Sequence, residues 1–83
     1  MPYVKQERRT ALNKVVDAMI QADISYDGDL NYILFKFCKY NIPLSYNSIK
    51  NYIGELEESI AEIRRKILAP YEETKEKENG PII

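Results

Sequence analysis

The sequence contains no histidine, no tryptophan and only one cysteine among its 83 residues. Without histidine, the commonest general base of enzyme chemistry is missing. A zinc site of the usual His/Cys type is likewise excluded within one chain. The single cysteine, Cys38, cannot form an intramolecular disulfide. It lies in the apolar, helix-like stretch Phe35-Lys36-Phe37-Cys38, so a small core residue is its expected role. A reactive thiol would need a basic or polar niche there. The chain also lacks a charge excess, with 12 basic against 13 acidic residues and a net charge of −1. That balance disfavours bulk coating of DNA or RNA. No run approaches the roughly 18–20 apolar residues of a membrane span. The start, Met1-Pro2-Tyr3-Val4-Lys5-Gln6-Glu7, turns polar too early for a signal peptide. The chain is therefore expected to stay in the cytoplasm. It has no internal repeat and no low-complexity tract.

What is present is helical periodicity. After an extended lead-in over residues 1–5, a first helix is predicted from about Gln6 to Ala22. Leu12, Val15, Val16, Met19 and Ile20 fall at i, i+3, i+4, i+7 and i+8. Asp23 to Gly28 is a break, with Asp27 or Asp29 suited to capping the next helix. The second helix, about Asp29 to Tyr40, turns Leu30, Ile33, Leu34, Phe37 and Cys38 one way. Tyr32 and Phe35 add apolar area off that stripe. Asn41-Ile42-Pro43-Leu44 breaks the chain again, because Pro43 cannot propagate a helix. Ser45, with Ser48 behind it, is a good N-cap for a third helix over Tyr46 to Leu68. Pro70 is expected to kink or restart that helix, Tyr71 to Glu78 to add two turns, and Asn79-Gly80 to stop it. Pro81-Ile82-Ile83 is expected to fray. Gly54, inside the third helix, either permits close approach of another group or is simply tolerated on an exposed face.

The third helix carries the strongest pattern. Tyr46, Ile49, Ile53, Leu56, Ile60, Ile63 and Ile67 are spaced alternately three and four apart, the spacing of a heptad seam. A chain this short buries only about 60–65% of its unfolded surface, so the seam is expected to pack on the rest of the domain or on further copies of the chain. The expected architecture is all-α: a single domain over 1–83, with two shorter helices packed on one long C-terminal helix kinked near Pro70. An N-terminal arm covers 1–5 and a tail covers 70–83. The expected assembly is a homo-dimer or homo-tetramer. Charge is uneven, net +2 over residues 1–22 and net −2 over residues 45–83. One chain's basic start can thus weakly steer toward another's acidic end.

The remaining constellations leave alternatives open. Seven tyrosines (Tyr3, Tyr26, Tyr32, Tyr40, Tyr46, Tyr52 and Tyr71) suit packing and interfaces, and also stacking on nucleobases. Lys5, Arg8, Arg9, Arg64, Arg65 and Lys66 can hold phosphate or simply pair with nearby glutamates. Glu55, Glu57, Glu58 and Glu62 do not follow the pattern of an inward-facing di-metal bundle. Ile42 to Ile60 also reads as a helix-turn-helix, with Asn47, Ser48, Lys50 and Asn51 facing bases and phosphates. Against that reading, glutamates follow from Glu55. No catalytic residue, metal ligand or cofactor site is expected.

Several phrases together carry a family resemblance. They are Met1-Pro2-Tyr3-Val4-Lys5-Gln6-Glu7-Arg8-Arg9, Gly28-Asp29-Leu30-Asn31-Tyr32-Ile33, Ser45-Tyr46, and Ile53-Gly54-Glu55-Leu56-Glu57. Arg64-Arg65, Ala69-Pro70-Tyr71-Glu72, Lys75 and Glu78-Asn79-Gly80 complete them. The chain resembles, over nearly its whole length, a widespread family of helical proteins of about this size from phages, prophages and bacteria, labelled as a domain of unknown function. It departs from that pattern at Glu62-Ile63, where such relatives often carry a Phe-Tyr pair before the two arginines. By size and fold it is similar to small phage sponges that sequester cyclic-nucleotide immune signals, the anti-CBASS proteins. That similarity implies non-catalytic binding of a cyclic dinucleotide-type ligand between chains. Tyr3, Lys5, Arg9, Asn31 and Tyr32 would come from one chain, and Arg65, Tyr71, Lys75 and Asn79 from a neighbour. Tyrosines would stack, lysines and arginines would hold phosphates, and asparagines would read base edges. The rival expectation is a DNA-binding or protein–protein adaptor built on the helix-turn-helix-like segment, although the net charge disfavours duplex DNA.

Overall fold

Helices α1 (Gln6–Gln21), α2 (Gly28–Asn41), α3 (Tyr46–Ile63) and α4 (Ala69–Asn79) follow one another along the chain, with a π-helical turn, Arg64–Leu68, between α3 and α4. This is a computed structural model that describes residues 3–82. Met1 and Pro2 of the expected arm, and Ile83 of the expected tail, lie outside the described residues. The described residues are all-α, with no strand among them. They divide into two units, Tyr3–Tyr52 and residues 53–82, each described in turn.

In the unit Tyr3–Tyr52, Val4 and Lys5 lead into α1, and Lys5 caps it with an extended backbone (φ −60°, ψ 148°). Arg9 ties this lead-in down, its Nε donating to the Val4 carbonyl at 2.9 Å. At the far end of α1, Asp23 takes φ 54°. The Asp23 amide donates to the Ile20 carbonyl and the Ile24 amide to the Met19 carbonyl. Those two bonds close the helix as a Schellman motif, with aspartate in the left-handed position more often held by glycine. Asp27 is the cap of α2: its carboxylate accepts from the Gly28 amide at 2.6 Å and from the Ser25 hydroxyl. These two bonds, the Ser25 one foremost, hold the Asp27 carboxyl below its ordinary value. Asp29, the other candidate cap, instead accepts from the Ser25 amide at 2.9 Å.

The inner side of α2 is close to its sequence pattern. Leu30, Ile33, Leu34 and Cys38 are half-buried, while Phe37 is exposed. Cys38, expected as a small core residue, is thus half-buried. On α3 the expected seam is only partly covered within this chain. Ser45 caps it as expected, with the Ser48 amide donating to its Oγ at 3.1 Å. Beyond the cap, the half-buried apolar positions are Ile49, Tyr52 and Leu56. Ile53, assigned to the seam by spacing, is 50% exposed, and Tyr46 is exposed as well. Tyr52 lies three residues after Ile49 and four before Leu56, so it shares their face. Its hydroxyl donates to the Leu34 carbonyl at 2.7 Å, and its ring sits 6.1 Å from that of Phe37. Tyr52 thus fastens the start of α3 to α2. Burial, and secondarily the neighbouring Cys38 thiol, raises the Tyr52 hydroxyl above its ordinary value.

In residues 53–82, Gly54 is surrounded by open space: a Cβ built there meets nothing within 4 Å. The irregularity expected at Pro70 takes an unforeseen form. Proline lacks an amide hydrogen, and its ring crowds the carbonyl four residues earlier. The helix responds by widening just before it, and the Ala69 amide donates to the Arg64 carbonyl, five residues back. The extra residue in that turn shifts the register. Ile67, which the heptad spacing placed on the seam, is 65% exposed, while Leu68 is 45% exposed. The apolar line thus passes from Ile60 and Ile63 to Leu68 and then Tyr71. Gly80, at φ 87°, ends α4 and donates its amide to the Glu76 carbonyl at 2.7 Å.

Among the described residues no hydrophobic side chain is fully buried, and the one buried charged residue is Glu62. The stripe on α1 is mostly open too: Val15, Val16 and Ile20 are exposed, and only Leu12 and Met19 are half-buried.

Candidate functional site

The expected site residues fall in both units. In Tyr3–Tyr52, Arg9 is half-buried and spends its Nε on the Val4 carbonyl. Its first role is to order the lead-in that carries Lys5. Tyr3 and Lys5 are exposed. Asn31 is exposed on the first turn of α2, its amide donating to the Asp27 carbonyl at 3.0 Å. Tyr32, next to it, is 63% exposed. Lys36, one turn on, donates to the Tyr32 hydroxyl at 3.2 Å and lies 5.4 Å from the centre of that ring. The same ammonium lies 6.0 Å from the Tyr40 ring, and Lys39 lies 5.7 Å from it. Tyr32, Lys36 and Tyr40, at i, i+4 and i+8, thus form a ladder of two π faces with a cation between them.

In residues 53–82, Arg65 lies in the π-helical turn and forms an ion pair with Glu62. Its guanidinium is thereby shared with a buried carboxylate, the glutamate pairing that the sequence left open beside phosphate binding. Tyr71 and Lys75 come together on α4, with the Lys75 ammonium 5.7 Å from the Tyr71 ring. Lys75 also pairs with Glu78 at 3.1 Å. Asn79, four residues after Lys75, continues the same face. Tyr71, Lys75 and Asn79 therefore repeat the spacing seen on α2.

Lys36 and Lys39 were absent from the sequence-derived candidates, and Tyr40 stood there only as one of seven tyrosines. The available signal was two tyrosines eight residues apart with a lysine midway. The glutamates on α3 do not converge: among the described residues no group of three or more carboxylates and thiols is placed to hold a metal ion. Among them, too, no helix is long and apolar enough to cross a membrane.

Fold and candidate site together define a small all-helical protein that exposes tyrosine faces and ammonium groups beside many carboxylates. The chain belongs to the family described as a domain of unknown function, DUF6899, which matches residues 1–82. No curated protein and no solved structure matches it.

Proposed function

We propose that this protein is a non-catalytic, self-associating binder that sequesters a cyclic oligonucleotide signal, a sponge of the anti-CBASS kind acting in the cytoplasm. The observation that supports it is the repeated pairing of an exposed tyrosine face with an ammonium group, Tyr32 with Lys36 and Tyr71 with Lys75. A base stacks on a π face irrespective of its edge, and a cation beside that face neutralises the attached phosphate. Asn31 and Asn79 supply amides that both donate and accept. Tyr3, Lys5, Arg9 and Arg65 complete the proposed set, with Arg9 and Arg65 also holding the lead-in and Glu62.

Self-association follows from the apolar stripe. Ile53, Ile60, Ile63, Leu68 and Tyr71 are each about half exposed. Covering each of them gains about 1 kcal/mol, half the value for burying a large apolar side chain completely. Exposed apolar surface of this continuity marks an interaction face, and further copies of the chain, as dimer or tetramer, are the proposed cover. A thermal-shift screen with cyclic di- and trinucleotides tests the ligand. A nucleotide at 100 times its Kd should stabilise the fold by about 2.7 kcal/mol, and a flat response to every cyclic nucleotide refutes the proposal.

A second reading, a helix-turn-helix-like DNA-binding or protein–protein adaptor, draws on Asn47, Lys50 and Asn51, all exposed on the first turns of α3. Glu55, Glu57 and Glu58 follow closely and repel phosphate. A salt-dependent shift of duplex DNA would favour this reading over the sponge.

A further inference from the structure

Three of the surface hollows differ in what they can accept. One, at the end of α1, is walled by Val16, Met19, Ile20 and Ile24, with Asp23 its one polar residue. A second, on α4, is lined by Glu72, Glu73, Lys75, Glu76, Gly80 and Ile82, so that three carboxylates outnumber its one ammonium and no ring is present. The third lies on α2 between Tyr32, Ile33, Lys36, Phe37, Tyr40 and Asn41, is open to solvent and measures about 450 Å³. It alone of the three joins an aromatic floor to a cation and an amide, and its volume falls in the range of small-molecule sites.

We infer that this hollow on α2 is the base-stacking subsite for one nucleotide unit, with Tyr32 and Tyr40 as stacking faces, Lys36 as the phosphate ligand and Asn41 as the reader of the base edge. The inference rests on the cyclic-oligonucleotide reading and adds Lys36, Tyr40 and Asn41 to the residues that carry it. The floor is held from behind. Phe37 packs on the Tyr52 ring, and the Tyr52 hydroxyl is anchored on the Leu34 carbonyl. The cation is in reach of both stacking faces, 5.4 and 6.0 Å from the two ring centres. A phosphate attached to a base stacked on either ring meets it without moving the helix. A charge-assisted bond to phosphate outweighs a cation–π contact at an exposed site, so the ammonium exchanges one for the other. Lys39, 5.7 Å from the Tyr40 ring, lies on the outer rim for a second phosphate. An acidic peptide would use the lysines and leave the aromatic floor idle, so the combination favours a base with its phosphate.

The test is a titration of the full chain with cyclic di-AMP and cyclic di-GMP, followed by aromatic NMR resonances and by binding affinity. It compares the wild type with Lys36→Gln, Tyr40→Ala and Tyr71→Ala, whose wild-type side chains are exposed. Circular dichroism checks that each variant is folded. The expected result is movement of the Tyr32, Phe37 and Tyr40 resonances, with Lys36→Gln and Tyr40→Ala each weakening binding by about tenfold, the typical worth of one stacked base. Wild-type affinity in both α2 variants, with movement confined to Tyr71, overturns the subsite and leaves the cyclic-nucleotide reading standing. Absence of binding by either probe overturns both. Broadening of the α2 resonances with protein concentration alone shows the face covered by a second copy, which also overturns the subsite.

Discussion

Tyr52 joins α2 to α3 within the unit Tyr3–Tyr52, because its ring lies beside Phe37 and its hydroxyl satisfies the Leu34 carbonyl. Replacing it by phenylalanine keeps the packing and removes the bond to Leu34, at a cost of about 1 kcal/mol in chemical denaturation at neutral pH. The pH dependence has a definite sign. Tyr52 ionises less readily when folded, because burial first and the Cys38 thiol second disfavour its anion. Its contribution is therefore complete below the ordinary tyrosine value of 10.0 and is lost as pH climbs through the raised folded value. The stability gap between wild type and Tyr52→Phe should accordingly shrink above pH 10.0 in a series of alkaline melts. Asp27 behaves oppositely. Its carboxyl is held below the ordinary value of 3.8, so what it adds to the α2 cap is present above that pH and lost as pH falls through the lower folded value. Ser45 has no charge to titrate. Ser45→Ala simply removes the acceptor for the Ser48 amide, and denaturant unfolding should report a loss of about 1 kcal/mol at any pH.

At the scale of the elements, the π-helical turn decides which side chains continue the apolar stripe. Heptad counting carries the seam from Ile63 to Ile67, but the added residue before Pro70 hands it to Leu68. Leu68→Ala should therefore weaken self-association more than Ile67→Ala, as sedimentation at a series of concentrations would show. Equal effects would mean that the register shift has no part in the interface. Gly54 offers a related test. With nothing within 4 Å of a built Cβ, Gly54→Ala should stabilise the helix by up to about 1 kcal/mol. A loss of oligomer in that variant would instead place a second chain against the glycine. Much of this level was legible in the sequence. The breaks at Asp23–Gly28 and Pro43, the serine cap and the glycine stop follow from backbone chemistry that each residue carries with it. The π turn was not legible, because Pro70 states only that a bond is missing. Whether the helix kinks, restarts or widens depends on the turn before it. Tyr52 was named only as one of seven tyrosines suited to packing, because the heptad count passes from Ile49 to Ile53 and no spacing shows that its hydroxyl meets the Leu34 carbonyl.

For the molecule as a whole, the residues expected to bind differ in their surroundings. Tyr32, Tyr71 and Lys75 stand beside a partner of complementary chemistry. Arg65 is engaged with Glu62, and Arg9 with Val4. Lys36 went unnoticed, and Tyr40 was only one tyrosine of seven, because their significance lies in three side chains sharing one helix face, which no single phrase of the sequence announces. The isoleucine stripe was clear from its spacing, and Ile53, Ile60 and Ile63 on it are each about half exposed. The account therefore joins two claims, that copies of this chain cover one another's apolar stripes and that the assembly takes up a cyclic nucleotide. Native mass spectrometry of the protein with added cyclic di- and trinucleotides tests both in a single spectrum. The account predicts a dimer or tetramer carrying a whole number of nucleotides. A monomer, or an oligomer that stays bare at saturating nucleotide, would contradict it.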